Sequence, residues 1–174
     1  MRTPVEFVPA DGEVREAVTK AGGQPVWLAE PQWPLTFDGE PMDFFGQFAL
    51  EGGRLAYLFL TDEGDEHALV LQPGGRIPDS VTVRAQAAGP TVGEDHLPRS
   101  GEPLGDDDAW QFFGGPGVEP RWLQGDETPD DGWDLVAQLD SGDLPFFVNF
   151  GDAGVGYAFV SPDGREGCFL WQCC

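Results

Sequence analysis

From residue 25 onward the chain alternates short apolar runs with clusters of glycine, proline and acidic residues, the pattern of strands joined by tight turns. Runs at 26–28, 44–50, 55–61, 67–71 and 81–86 read as strands of a first half. Those at 122–123, 133–139, 146–149, 155–161 and 168–172 read as strands of a second. The runs at 55–61 and 67–71 flank Asp62-Glu63-Gly64-Asp65-Glu66, which predicts a hairpin with a solvated loop. Helical spacing occurs once. Asp11 is placed as an N-cap, Val14, Ala17 and Val18 lie on one face, and Gly22-Gly23 ends the pattern, so a short amphipathic helix is expected over 11–20. The fold class expected is α+β, predominantly antiparallel β, with one short N-terminal helix.

The two halves carry the same landmarks in the same order. Gly22-Gly23-Gln24-Pro25-Val26-Trp27-Leu28 is echoed by Gly114-Gly115 and Pro120-Arg121-Trp122-Leu123. Each copy then reaches an apolar segment with a glutamine, Gln47 and Gln138. Each continues into an aromatic strand ending in a small hydroxyl residue, Tyr57-Leu58-Phe59-Leu60-Thr61 and Tyr157-Ala158-Phe159-Val160-Ser161. The offset between copies holds at roughly ninety to a hundred residues, as an internal duplication requires. Between 87 and 109 the apolar signal fades into glycine, proline and Asp106-Asp107-Asp108. The expected organisation is one compact domain over 1–174, with two fused repeats, about 20–86 and 110–174, joined by a polar linker at 87–109.

Several of these strings resemble a bacterial family of unknown function, the YwqG-like family. The likeness rests on Gly22-Gly23-Gln24-Pro25-Val26-Trp27-Leu28, on Trp33-Pro34 and on Gly39-Glu40-Pro41-Met42-Asp43-Phe44-Phe45-Gly46-Gln47-Phe48. It rests also on Gly151-Asp152-Ala153-Gly154-Val155-Gly156-Tyr157-Ala158-Phe159 followed by Phe169-Leu170-Trp171-Gln172-Cys173-Cys174. The opening and the Gly-x-Pro-Met step are also similar to eukaryotic programmed-cell-death-protein relatives, dedicated chaperones of a basic ribosomal protein. In that group a cysteine pair precedes the step. Here Leu35-Thr36-Phe37-Asp38 stands in its place, so a metal-linked role is not carried over. The resemblance implies a duplicated β-rich fold.

Charge narrows the partners. Nine Lys plus Arg face 31 Asp plus Glu, a net charge of −22, and Lys20 is the one lysine. A chain so poor in cations lacks the clustered Lys and Arg that bind phosphate backbones or anionic lipid. Neither a nucleic acid nor a membrane is therefore expected as a partner. The acidity has two readings, solubility alone or a face that docks a basic protein. Met1 to Phe7 holds no apolar core of a secretory signal, and no run approaches the roughly 20 apolar residues of a membrane span. A cytoplasmic protein is expected. Cys168, Cys173 and Cys174 crowd the C-terminus and read as reduced, partly buried thiols rather than a disulfide framework.

Candidate chemistry is sparse. Only His67 and His96 could serve as general bases; both are expected at the surface, and neither lies in a nucleophile motif. The acidic runs lack the ligand spacing of a calcium loop, and Gly151-Asp152-Ala153-Gly154-Val155-Gly156 precedes a strand rather than the helix of a phosphate loop. No enzyme, metal or cofactor is expected. Gln47, Gln138 and Gln172 sit in apolar strand text, where an amide must be satisfied. They either hold backbone groups of the glycine-rich segments or line an aromatic ligand cleft between the repeats with Trp27, Trp122 and Trp171. Those residues, with Asp106, Asp107 and Asp108, are the candidate ligand or partner contacts. The functional expectation is a non-enzymatic acidic protein-binding module, immunity-like or chaperone-like, engaging a basic protein. A small-molecule binder using the aromatic cleft is the alternative. Oligomeric state is not encoded in these patterns.

Overall fold

A computed structural model describes residues 2–102 and 109–173. Twelve strands follow one another: β1 (Val5–Pro9), β2 (Lys20–Ala21), β3 (Trp33–Leu35), β4 (Asp43–Ala49), β5 (Leu55–Leu60), β6 (His67–Gln72), β7 (Thr82–Arg84), β8 (His96–Ser100), β9 (Phe112–Phe113), β10 (Asp134–Asp140), β11 (Val155–Val160) and β12 (Gly167–Gln172). They form a six-stranded sheet ordered β1-β8-β2-β4-β5-β6, a four-stranded sheet ordered β12-β11-β10-β9, and a β3-β7 ribbon. All the ladders are antiparallel. The sole helical element among the described residues is a 3-10 turn at Glu51–Gly53.

The fold is therefore all-β, and the α+β expectation with its N-terminal helix is overturned. Residues 11–19 run without helix. Gly12 adopts φ 105°, outside helical backbone. The Val14 N–H donates to Asp95 Oδ2, and the Val14 carbonyl accepts from Lys20 Nζ. The Val14 carbonyl that would have closed a helical turn is thus taken by Lys20, and the first-turn N–H that an Asp11 cap would have held is taken instead by Asp95, 81 residues away. An isolated helix this short has little intrinsic stability to set against such partners. Runs 26–28 and 122–123, expected as strands, are coil laid across the sheets, and 146–149 lies in the β10–β11 loop.

The two larger sheets face each other across a shared core. Alternation along β5 sends Ala56, Leu58 and Leu60 into that core, while Leu55, Tyr57 and Phe59 join an outer cluster with Trp33, Phe44 and Val70. Along β11, Ala158 and Val160 point inward and Val155, Tyr157 and Phe159 join a second outer cluster with Leu135 and Phe112. Each sheet is covered on both faces, which explains why β5 reads as an unbroken apolar run instead of an alternating one.

The sheet edges are also engaged. Pro4 bridges Phe112, and the Val5 N–H donates to the Gln111 carbonyl, so β1 adjoins β9. At the other side β6 packs on β12, where a Cβ on Gly167 would lie 2.5 Å from the Leu69 carbonyl oxygen. The polar segment expected as a linker supplies β8, which pairs with β1 and β2. Pro98 is tolerated inside it because only His96 reaches across to β2, leaving the position of the missing N–H unpaired on that side. No described helix is long and apolar enough to cross a membrane.

Candidate functional site

The glutamines expected as candidate contacts are placed by bulges. The β4–β5 register skips between Phe44 and Gly46, and the β10–β11 register skips between Leu135 and Ala137. Each extra residue reverses the side-chain phase, so the following glutamine faces outward beside a tyrosine, Gln47 opposite Tyr57 and Gln138 opposite Tyr157.

There the two outer faces coincide partner for partner. Gln47 Oε1 accepts from the Val26 N–H at 3.0 Å and its Nε2 donates to the Val18 carbonyl at 2.9 Å. Gln138 Oε1 accepts from the Arg121 N–H at 2.8 Å and its Nε2 donates to the Trp110 carbonyl at 3.0 Å. Tyr57 donates to the Val26 carbonyl and accepts from the Leu28 N–H; Tyr157 donates to the Arg121 carbonyl and accepts from the Leu123 N–H. Gln172 Oε1 accepts from the Leu123 and Gln124 N–H groups, and Gln72 does the same for Leu28 and Ala29. Trp27 lies 4.8 Å from the Tyr57 ring, Trp122 4.5 Å from Tyr157. Burial pushes both phenols up to about 12, against the opposing bonds from the Leu28 and Leu123 backbones, so both hydroxyls keep their protons at neutral pH.

Gln47, Gln138 and Gln172 thus have both amide ends occupied, each fastening a coil segment over its sheet. Trp27 and Trp122 belong to different outer clusters on opposite sides of the shared core. Trp171 packs against the shared core and donates to the Gly64 carbonyl at 2.8 Å, tying β12 to the β5–β6 turn. The three tryptophans do not line one cleft. A cleft of about 410 Å³ does lie between the halves, but Arg54, Gly114, Gly115, Asp134 and Ser161 line it, without a tryptophan. Asp106, Asp107 and Asp108 lie outside the described residues.

Sequence reasoning missed Gln72, whose spacing from Gln172 equals that of Tyr57 from Tyr157, a signal present in the text. It also missed a buried ion pair. Lys20 is fully buried, and its Nζ donates to Asp95 Oδ1 at 2.5 Å. Gly23, at φ 68°, makes room: a Cβ there would fall 2.0 Å from Asp95 Oδ1.

One histidine and one cysteine lie close together. His67 and Cys168 share a pocket of about 160 Å³, where burial lowers the imidazole pKa and burial, then Glu166, raise that of the thiol. That is the reverse of what a thiolate–imidazolium pair requires. Both histidines, expected at the surface, are half-buried, His67 edge-on to Phe169 and His96 to Phe146. No three His, Cys, Asp or Glu among the described residues are grouped to hold a metal. No known family profile and no characterised protein matches the chain in sequence.

One carboxyl is strongly displaced. Asp43, beside Asp62 under the exposed Phe147, is raised to about 6 by burial, then by its hydrogen bond to Asp62 and that group's charge. The folded state therefore binds more protons than the unfolded state between about pH 4 and 6. Stability falls as pH rises through that window, and the deficit stays in full above it. Asp43 is partly solvated, so screening holds the deficit to about 1 kcal/mol. Asp43→Asn is expected to raise the melting temperature at pH 7.5 and leave it unchanged near pH 4, measured by thermal denaturation at both. Equal shifts at the two values would remove the carboxyl pair as the cause.

Proposed function

We propose that this chain is a non-enzymatic binding module whose acidic surface engages a basic protein. The observation that carries this reading is the fate of its nine cations. Lys20 is buried on Asp95, and Arg15, Arg76 and Arg99 pair with carboxylates. Arg2, Arg54 and Arg165 donate to backbone carbonyls, and Arg84 to the Gln86 side chain. Arg121 stacks on Trp110 with its Cζ 3.7 Å from the ring centroid. Every cation thus has a contact within the chain, and the Nη1 of Arg121 is buried beside Trp110 with no hydrogen-bond acceptor. Exposed acids such as Asp11, Glu16, Asp38, Glu40, Glu63 and Asp79 outnumber exposed arginines such as Arg15, Arg84, Arg99 and Arg165, leaving a surface that is predominantly negative. Such a field speeds encounter with a cationic partner and repels polyanions. An immunity or chaperone role toward a basic protein is the biological form this binding would take, in a cytoplasmic setting.

The test is capture from native lysate at low and moderate salt beside an unrelated protein of equal negative charge. One basic protein held by this chain and not by the control, and released as salt screens exposed charges, is the expected result. The same cationic mixture on both baits would reduce the acidity to a solubility device. The inter-half cleft supports a second reading, a small-molecule binder. Its about 410 Å³ is of ligand size, and Arg54 and Asp134 supply polar groups amid Leu50, Leu135 and Val160.

A further inference from the structure

We infer that the pocket beside Phe37 is the point at which this surface receives an arginine side chain of its basic partner. This deepens the binding reading above and rests on it. Phe37 is the most exposed large apolar residue described, 98% accessible, at the tip of the turn that follows β3. The tip is held firmly. The Thr36 N–H donates to the Glu40 carbonyl, the Gly39 N–H to the Thr36 carbonyl, and the Phe37 N–H to Glu66 Oε1 at 2.7 Å. The ring is therefore presented to solvent by an ordered backbone rather than by a free chain end.

Behind it opens a pocket of about 480 Å³, with Leu35, Met42 and Val81 among its apolar walls and Asp65, Glu66 and His67 on its polar side. Burial lowers the His67 pKa, so the imidazole is neutral at physiological pH and adds no cation to compete with an incoming one. Asp38 and Glu40 stand exposed in the same turn and Asp79 is exposed beside Ser80 of the pocket wall. An aromatic face next to carboxylates, over an apolar floor, matches the two surfaces of arginine. Its planar guanidinium stacks on rings and takes carboxylates bidentately, while its methylene stem covers apolar ground. Lysine, a strongly hydrated point charge, gains less from the ring.

Titration calorimetry with octa-arginine and octa-lysine peptides tests this on the full chain at low and physiological ionic strength. Phe37→Ser changes no charge and, with the ring almost wholly exposed, should leave the melting temperature in place. It is expected to weaken octa-arginine binding about fivefold, and octa-lysine binding less. Glu66→Gln should weaken octa-arginine more than Glu119→Gln does, an equal loss of charge at an exposed site outside the pocket. Octa-arginine binding that is unchanged in Phe37→Ser, or equal losses in the two Gln variants, overturns the pocket while leaving a diffuse acidic surface standing. Absence of octa-arginine binding to the parent chain overturns the pocket as well, and the lysate capture then decides the wider reading.

Discussion

Asp95→Ala is expected to lower stability by about 3–5 kcal/mol, because it strands a charged group that cannot reach water. Lys20 is wholly enclosed between β4 and β8, with Asp95 as its carboxylate, the Val14 carbonyl as a second acceptor at 3.4 Å and the Phe44 ring 6.0 Å away. The carboxylate also holds the Val14 N–H, so its removal leaves a cation and a backbone donor unpaired together. The loss should appear as a lower midpoint of denaturant unfolding at an unchanged slope. Lys20→Met combined with Asp95→Leu removes both charges and should recover part of that loss, retaining about 1–3 kcal/mol for the Val14 N–H and carbonyl left without their partners. A loss under about 1 kcal/mol in Asp95→Ala would mean that the pair is not sealed from solvent.

That ion pair marks the limit of what the residues disclose in order along the chain. Strands β4, β5, β6, β10, β11 and β12 were legible because their apolar runs end in glycine and acidic turns, and because each half repeats the other's text. Lys20 and Asp95 stand 75 residues apart, one in a segment with helical spacing and the other in polar text, and nothing local joins them. The same separation hid the failure of the helix. Its three apolar residues have the right period, but the backbone around Val14 is claimed by side chains arriving from β2 and from the residue before β8. Strand β8 went unread because Pro98 and its polar neighbours look like a loop until β1 is laid beside them. The bulges escaped for a different reason: a bulge is visible only as a break in pairing, and pairing is a property of two strands. Without the bulges Gln47 and Gln138 would point into the shared core. With them, these residues fix the coil on the outer faces, and Trp27 and Trp122, which were expected to meet in one cleft, are carried to opposite sides.

The paired construction makes a second large effect measurable twice. Gln47→Leu keeps the volume of the side chain and removes its hydrogen bonds, leaving the Val26 N–H and the Val18 carbonyl without their partner on β4. Gln138→Leu does the same to the Arg121 N–H and the Trp110 carbonyl on β10. A fully buried group so stranded costs about 1–3 kcal/mol and a partly solvated one less; these four backbone groups are part-buried, so each variant should lose about 1–4 kcal/mol. The two losses should agree, since the geometry around them does. Both should also appear in one cooperative transition rather than two, because Ala56 and Leu58 of one sheet and Ala137 and Ala158 of the other belong to the same core. Thermal unfolding followed by near-ultraviolet circular dichroism, which reports the aromatic clusters of both outer faces, reads both quantities. A melting temperature that does not move in either variant would show that the amides are not what fastens the coil. A loss confined to one variant, or a transition that splits, would show that the two faces share a pattern of bonds but not a common stability.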